Sequence, residues 1–191
     1  RKVLSANYDD PSALTVETFD DLGPYAASER NDYEKYVIGG DKVLSAEGPV
    51  RQGVTQSFVL GTEGAKVGTA CAVYSAENTG DDGGWGGVGR RFDAPIDLSA
   101  YKALCLQLHG DGKGEAIRFQ FRDTQGRSAD LVIPIDYTGW RVHVMDPADS
   151  QGFDWSQVEY MLLYFNGIPA KTSVRVLVDA GLSGQGVSKR L

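Results

Sequence analysis

Ala103-Leu104-Cys105-Leu106-Gln107-Leu108-His109 and, beyond a turn at Gly110-Asp111-Gly112, Ala116-Ile117-Arg118-Phe119-Gln120-Phe121-Arg122 carry an apolar residue at every second position. Alternation of period two is the mark of a strand with one face buried, because successive side chains point to opposite sides of a pleated ribbon. The series Leu104, Leu106, Leu108 and Ile117, Phe119, Phe121 are therefore expected to face a core. Cys105, Gln107, His109 and Arg118, Gln120, Arg122 then face away from it. Working outward, the same period recurs at Gln56–Leu60, Ala70–Ser75, Gly89–Phe92, Ala129–Ile135, Arg141–Met145, Tyr160–Phe165 and Ser173–Asp179. Gly, Asp, Asn or Pro bounds each segment, and almost nothing of period 3.6 appears. Nine short strands suffice for two packed sheets, so the sequence predicts an all-β, two-sheet antiparallel β-sandwich of the jelly-roll kind. Single helical turns are expected at Asp97–Tyr101, where Asp97 or Ser99 can cap, and at Asp154–Val158.

A length of 191 residues is one domain of ordinary size. Residues 1–14 read as a linker or N-terminal arm, 15–182 as the sandwich, and 183–191 as a C-terminal linker. Tyr25–Lys35, with no apolar face, reads as a surface loop or one helical turn. The net charge of −7 argues against nucleic acid as the main partner, and no apolar run approaches the length of a membrane helix. The 24 glycines suit tight turns between short strands. Cys71 and Cys105 lie in apolar, strand-like runs and read as two small buried hydrophobes, with a bridge between neighbouring strands as the alternative.

The outward series carry the functional signal. Arg118, Gln120 and Arg122 lie side by side on one strand; Gln107 and His109, Arg141, His143 and Met145, and Leu162, Tyr164 and Asn166 come from others. Assembled on one surface, these offer guanidinium, amide, imidazole and phenol groups. Hydroxyl pairs of a sugar take bidentate hydrogen bonds from Arg, Gln and Asn, and the C–H face of a pyranose stacks on an aromatic ring. Trp85, between Gly83-Gly84 and Gly86-Gly87, is the second candidate for stacking, while Trp140 and Trp155 beside turn signals read as core anchors. The candidate ligand contacts are thus Trp85, Gln107, His109, Arg118, Gln120, Arg122, His143 and Tyr164.

Several stretches resemble the carbohydrate-binding modules of the galactose-binding-like jelly-roll group, family 11 type, and the related complex I assembly-factor domain. Phe19-Asp20-Asp21 resembles their opening signature, and Gly64-Ala65-Lys66-Val67-Gly68-Thr69-Ala70 resembles the start of an early strand. Pro95-Ile96-Asp97-Leu98-Ser99-Ala100-Tyr101, followed by Gly110-Asp111-Gly112, resembles their Asp-Leu-Ser-x-Tyr and Gly-Asp-Gly stretch. Trp140-Arg141-Val142 and Ser173–Asp179 resemble later strands, so the matches span about Val16 to Leu182. The resemblance implies a sandwich that binds polysaccharide on a concave sheet face, as an accessory domain of a secreted, extracellular glycan-degrading enzyme. It implies a monomer or one unit of a multidomain chain. It also implies a structural calcium ion held by Glu17, Asp20 and Asp179, with Ala180 standing where relatives often carry a second Asp.

Two alternatives accompany this reading. One is a protein-interaction or assembly domain of the same fold, in which a partner chain covers the Arg118 face. The other is a jelly-roll polysaccharide lyase, in which His109 or His143 acts as base beside Arg118, Arg122, Arg141 and Tyr164. No nucleophile elbow, phosphate-cradling loop or His-Glu-x-x-His motif is present, and the acidic residues cluster in turns rather than in a pattern suited to a glycosidase pair. A non-catalytic module is the expectation. Two arginines on one strand also admit an anionic glycan.

Overall fold

The structure, a computed structural model, describes residues 14–27, 43–44, 53–62 and 70–185. The elements are β1 (Leu14–Glu17), β2 (Ala26–Ala27), β3 (Val43–Leu44), β4 (Val54–Gly61), β5 (Cys71–Asn78), β6 (Gly84–Ile96), β7 (Ala103–Asp111), β8 (Ala116–Asp123), β9 (Ser128–Pro134), β10 (Thr138–Met145), β11 (Val158–Ile168) and β12 (Thr172–Gln185). All nine expected strands are present. The twelve described strands form a seven-stranded sheet in the order β10-β7-β12-β5-β4-β3, with β1 also pairing β12, and a five-stranded sheet in the order β2-β6-β11-β8-β9. Every pairing is antiparallel. The two-sheet sandwich expected from alternation is the observed architecture.

The inward series meet between the sheets. Leu104, Leu106 and Leu108 of β7 join Ile117, Phe119 and Phe121 of β8 and Met161, Leu163 and Phe165 of β11 in one buried cluster. Burying a large apolar side chain is worth roughly 1.5–3 kcal/mol, so this cluster is the main source of stability. Buried polar groups tie the sheets together at one end. Gln56 of β4 donates to the carbonyl of Gly87 in β6 (3.0 Å), and the Tyr74 hydroxyl of β5 lies 2.6 Å from Gln56 Oε1 and 2.9 Å from the Gly86 carbonyl. Such interior groups are tolerated only when paired, and here they fix one register between the sheets.

The glycine run of β6 has a packing reason. A Cβ built on Gly89 would lie 2.2 Å from the Tyr160 hydroxyl, so the Tyr160 side chain crosses β6 where only glycine leaves room. Trp85, set among these glycines, is a strand residue of intermediate burial. The expected helical turns are single hydrogen-bonded turns, closed by Tyr101 N–H to the Leu98 carbonyl and Gln157 N–H to the Asp154 carbonyl, both 3.1 Å. Asp97 accepts from Ser99 N–H and Asp154 from Ser156 N–H, and the one 3-10 helix among the described residues is Pro147–Asp149, capped by Asp146.

At the C-terminal end β12 continues to Gln185, with Ser183 opposite both Cys105 and Thr15, three residues beyond the expected domain limit. Most of the Tyr25–Lys35 segment and the Gly64–Thr69 part of the strand-opening motif lie outside the described residues. Cys71 and Cys105 are buried free thiols, and burial pushes the Cys105 thiol up to about 12. Among the described residues no helix is long and apolar enough to cross a membrane.

Candidate functional site

The outward face of the five-stranded sheet is a grid set by register. β8 lies between β9 and β11, and β11 lies between β8 and β6. One row across these strands reads Val132, Arg118, Tyr164, Gly87; the next reads Asp130, Gln120, Leu162, Gly89; the third reads Ser128, Arg122, Tyr160, Arg91. Strands about 4.8 Å apart bring row neighbours into contact. The Arg118 guanidinium lies 5.5 Å from the Tyr164 ring centre, and Arg122 lies 5.4 Å from Tyr160, with Arg91 at 5.7 Å from the same ring. An arginine stacked over a ring uses its face in a cation–π contact, while its N–H groups radiate in the plane of the guanidinium.

The middle row holds the outer ones in place. Asp130 Oδ1 accepts from Gln120 Nε2 at 2.6 Å, and Gln120 Oε1 accepts from Arg122 Nε at 3.2 Å. Gln120 is itself buried, so it acts as a positioning residue for Arg122. Arg118 differs: its Nε is buried and has no hydrogen-bond partner. A desolvated cationic N–H without an acceptor is costly, and an oxygen-rich ligand reaching it would recover that cost. By alternation Trp85 lies on the same side of β6 as Gly87, at the Tyr164 end of the grid.

Five of the eight expected contacts therefore share this face: Trp85, Arg118, Gln120, Arg122 and Tyr164. The other three do not. β7 belongs to the seven-stranded sheet, so Gln107 and His109 point away on the opposite side of the molecule, His109 edge-on to Trp140 at 5.4 Å. In β10 the expected orientation is reversed. Arg141, His143 and Met145 lie opposite Leu108, Leu106 and Leu104, and so share the core-facing side, while Trp140, Val142 and Val144 turn outward. Met145 is buried, Val142 is 46% exposed, and Trp140 is an outward residue rather than a core anchor; Trp155 does pack on the core, 4.5 Å from Phe153.

His143 Nε2 lies 2.6 Å from the Tyr137 hydroxyl, and burial, then the charge of Arg141, holds its pKa below the ordinary value. Both histidines stand on the seven-stranded sheet, so neither joins Arg118, Arg122 and Tyr164 as the lyase alternative expected; His143 instead stands beside Arg141 and Tyr137. Tyr160, Arg91 and Asp130 are the members that sequence reasoning missed. Carrying the series Leu162, Tyr164 back two residues includes Tyr160, whereas Arg91 and Asp130 depend on inter-strand register.

The carboxylates assigned to calcium by resemblance have other surroundings. Glu17 Oε1 accepts from Phe19 N–H (2.8 Å), and Oε2 accepts from the Tyr25 hydroxyl and from Arg90 Nη1, both at 2.9 Å. Arg90 lies 5.1 Å from the Phe92 ring centre and 5.9 Å from that of Tyr25, so the cation beside Glu17 is a guanidinium supplied by β6. Asp20 is exposed and Asp179 is fully buried. Among the described residues no three His, Cys, Asp or Glu side chains gather in a way that could hold a metal. Calcium takes six to eight oxygens, so this set does not fit it.

No family model matches the chain, and no curated protein matches it. Solved structures do. The family 11 carbohydrate-binding module from Clostridium thermocellum, in complex with a β-1,3-1,4-mixed-linked tetrasaccharide, superposes with a TM-score of 0.63 at 13% identity, over 93% of this chain and 98% of that one. The chain has the jelly-roll fold of carbohydrate-binding modules. The family 11 module of a cellulosomal cellulase of Clostridium thermocellum gives 0.60 at 11% identity over 93% and 96%. A family 28 module specific for non-crystalline cellulose gives 0.50 at 16% over 78% and 98%. At such identities the likeness is one of jelly-roll architecture.

Proposed function

We propose that the protein is a non-catalytic glycan-binding module whose ligand lies across the outward face of the five-stranded sheet. The arrangement that carries the reading is the pair of arginine–tyrosine stacks, Arg118 on Tyr164 and Arg122 on Tyr160, held in register on neighbouring strands. Arg118 and Arg122 supply N–H groups to sugar hydroxyls, Gln120 holds Arg122, and Tyr164 with Trp85 offers apolar ring surface to the C–H face of a pyranose. The jelly-roll likeness supports this, since the family 11 module holds a mixed-linked tetrasaccharide on the same architecture. Its setting in this proposal is extracellular, as the accessory domain of a polysaccharide-degrading enzyme.

Each sugar contact replaces a contact with water, so affinity is modest. Isothermal titration against soluble glucans, mannans, xylans and uronans tests the proposal. Saturable heat with at least one polymer is expected, and silence across the panel from folded protein would sink it. An ionic-strength series on any binder separates neutral from acidic glycans, because contacts with an anionic chain weaken steeply with salt.

A further inference from the structure

A hollow lies on the opposite side of the sandwich from the arginine face, on the outward face of the seven-stranded sheet. Its volume is about 430 Å³, and it is built on β4, β5 and β12. Register arranges its side chains in two rungs: Thr55, Glu77 and Ser173 stand opposite one another, as do Ser57, Ser75 and Arg175. A second hollow of about 300 Å³ adjoins it, sharing Glu77 and Ser173 and reaching Lys171. Together they have the size of sites that take small organic ligands.

The chemistry of the lining is narrow. Four hydroxyls, which both donate and accept, surround one carboxylate, one guanidinium and the Lys113 ammonium, whose Nζ donates to the Ser173 carbonyl. A carboxylate accepts from two adjacent hydroxyls, and a guanidinium donates two parallel N–H bonds, so Glu77 and Arg175 are complementary to a vicinal diol.

The lining carries Lys113, Lys171 and Arg175 against Glu77, and Asp81 and Asp111 flank it from outside. Lys171 Nζ lies 3.1 Å from Asp81 Oδ1, and Asp111 Oδ2 accepts from the Arg175 backbone N–H at 2.7 Å, so the three cations are matched by three acids only when these flanking groups are included. No aromatic residue lines either hollow. A balanced, hydroxyl-rich surface without a stacking ring suits a neutral polyhydroxylated ligand bound by hydrogen bonds alone.

We propose that this groove is a second saccharide site, selective for neutral sugars, weaker than the arginine face and independent of it. The protein would then hold two glycan segments on opposite sides of one domain, and two such sites acting on one polymer network raise retention beyond either alone. The inference stands on the groove and not on the reading of the arginine face.

The test is an amide chemical-shift titration of the whole chain with cellotetraose, mixed-linked glucotetraose, mannotetraose and xylotetraose at up to tens of millimolar. Shifts at Ser57, Ser75, Glu77, Ser173 and Arg175 are expected with at least one of the four. They should persist in Arg118→Ala with Arg122→Ala, and vanish in Glu77→Ala with Arg175→Ala while the remaining spectrum is unchanged. If those amides stay fixed with all four sugars, the second site does not exist, whether or not the residues around Arg118 and Tyr164 respond. If they move equally in the Glu77→Ala with Arg175→Ala protein, the groove is not the site and the proposal fails.

Discussion

The two outward faces of this sandwich are built from the same ribbon geometry and carry opposite chemistry. On the five-stranded sheet, long cationic side chains lie over tyrosine rings, with a buried glutamine between them. On the seven-stranded sheet, short hydroxyls flank one Glu and one Arg in a groove, with Trp140 and Val142 at the β10 edge. The contrast teaches that an outward side chain acquires its function from its cross-strand neighbours. An arginine stacked on Tyr164 is a held, partly desolvated donor, whereas one among serines is a solvated one.

The largest effect is expected where the chain passes from one sheet to the other. Glu115, in the β7–β8 connection, is fully buried with neither carboxylate oxygen hydrogen-bonded, and burial, with Asp111 beside it, pushes it up to about 8. A carboxyl whose folded pKa stands above its ordinary 4.5 is protonated in the native state, so its stability is intact at low pH and is lost as pH rises from 4.5 toward 8. Glu115→Gln should remove that loss, raising stability at pH 9 by on the order of 3 kcal/mol while leaving pH 4 nearly unchanged. Thermal melts of both proteins across that range check it, and parallel curves would show that Glu115 ionises without cost.

Next, Arg118→Ala with Arg122→Ala should lower glycan affinity by about 100-fold with the melting temperature held within a few degrees, because two charged hydrogen-bond donors are lost. Titration calorimetry measures it; an unchanged affinity would remove the distinction between the faces. Tyr164→Ala should cost about 10-fold and Tyr164→Phe far less, since the ring rather than the hydroxyl supplies the stacking surface. The smallest effect is expected from Gln107→Ala with His109→Ala, on the other face, with affinity changed by less than about 2-fold. A large loss there would restore a site that includes β7.

Much of the architecture was legible. Period-two alternation located all nine long strands and put Leu104, Leu106, Leu108, Ile117, Phe119 and Phe121 inside. It failed in β10, where Trp140, Val142 and Val144 form the apolar series and Arg141 and His143 fall in the other, yet the apolar series is the one that turns outward. At this sheet edge, Arg141 lies 4.2 Å from the centre of the Tyr137 ring and His143 is hydrogen-bonded to its hydroxyl, so polar side chains occupy the core-facing side at tolerable cost. Glu17 entered only as a calcium ligand implied by resemblance, and its guanidinium partner was not legible. Arg90 lies 73 residues away, and only the fold brings β6 against it.

Which side chains of strands such as β7, β8 and β11 face the core was thus written locally, because the pleat reverses direction at every residue and a continuous apolar series gains by leaving water. Which outward residues meet was not. β7 and β8 are consecutive and alternate in the same way, yet they pair in different sheets, so that with both inner faces turned toward one core, Gln107 and Arg118 point in opposite directions. Sheet membership depends on pairing between strands distant in the chain, and no local pattern encodes it.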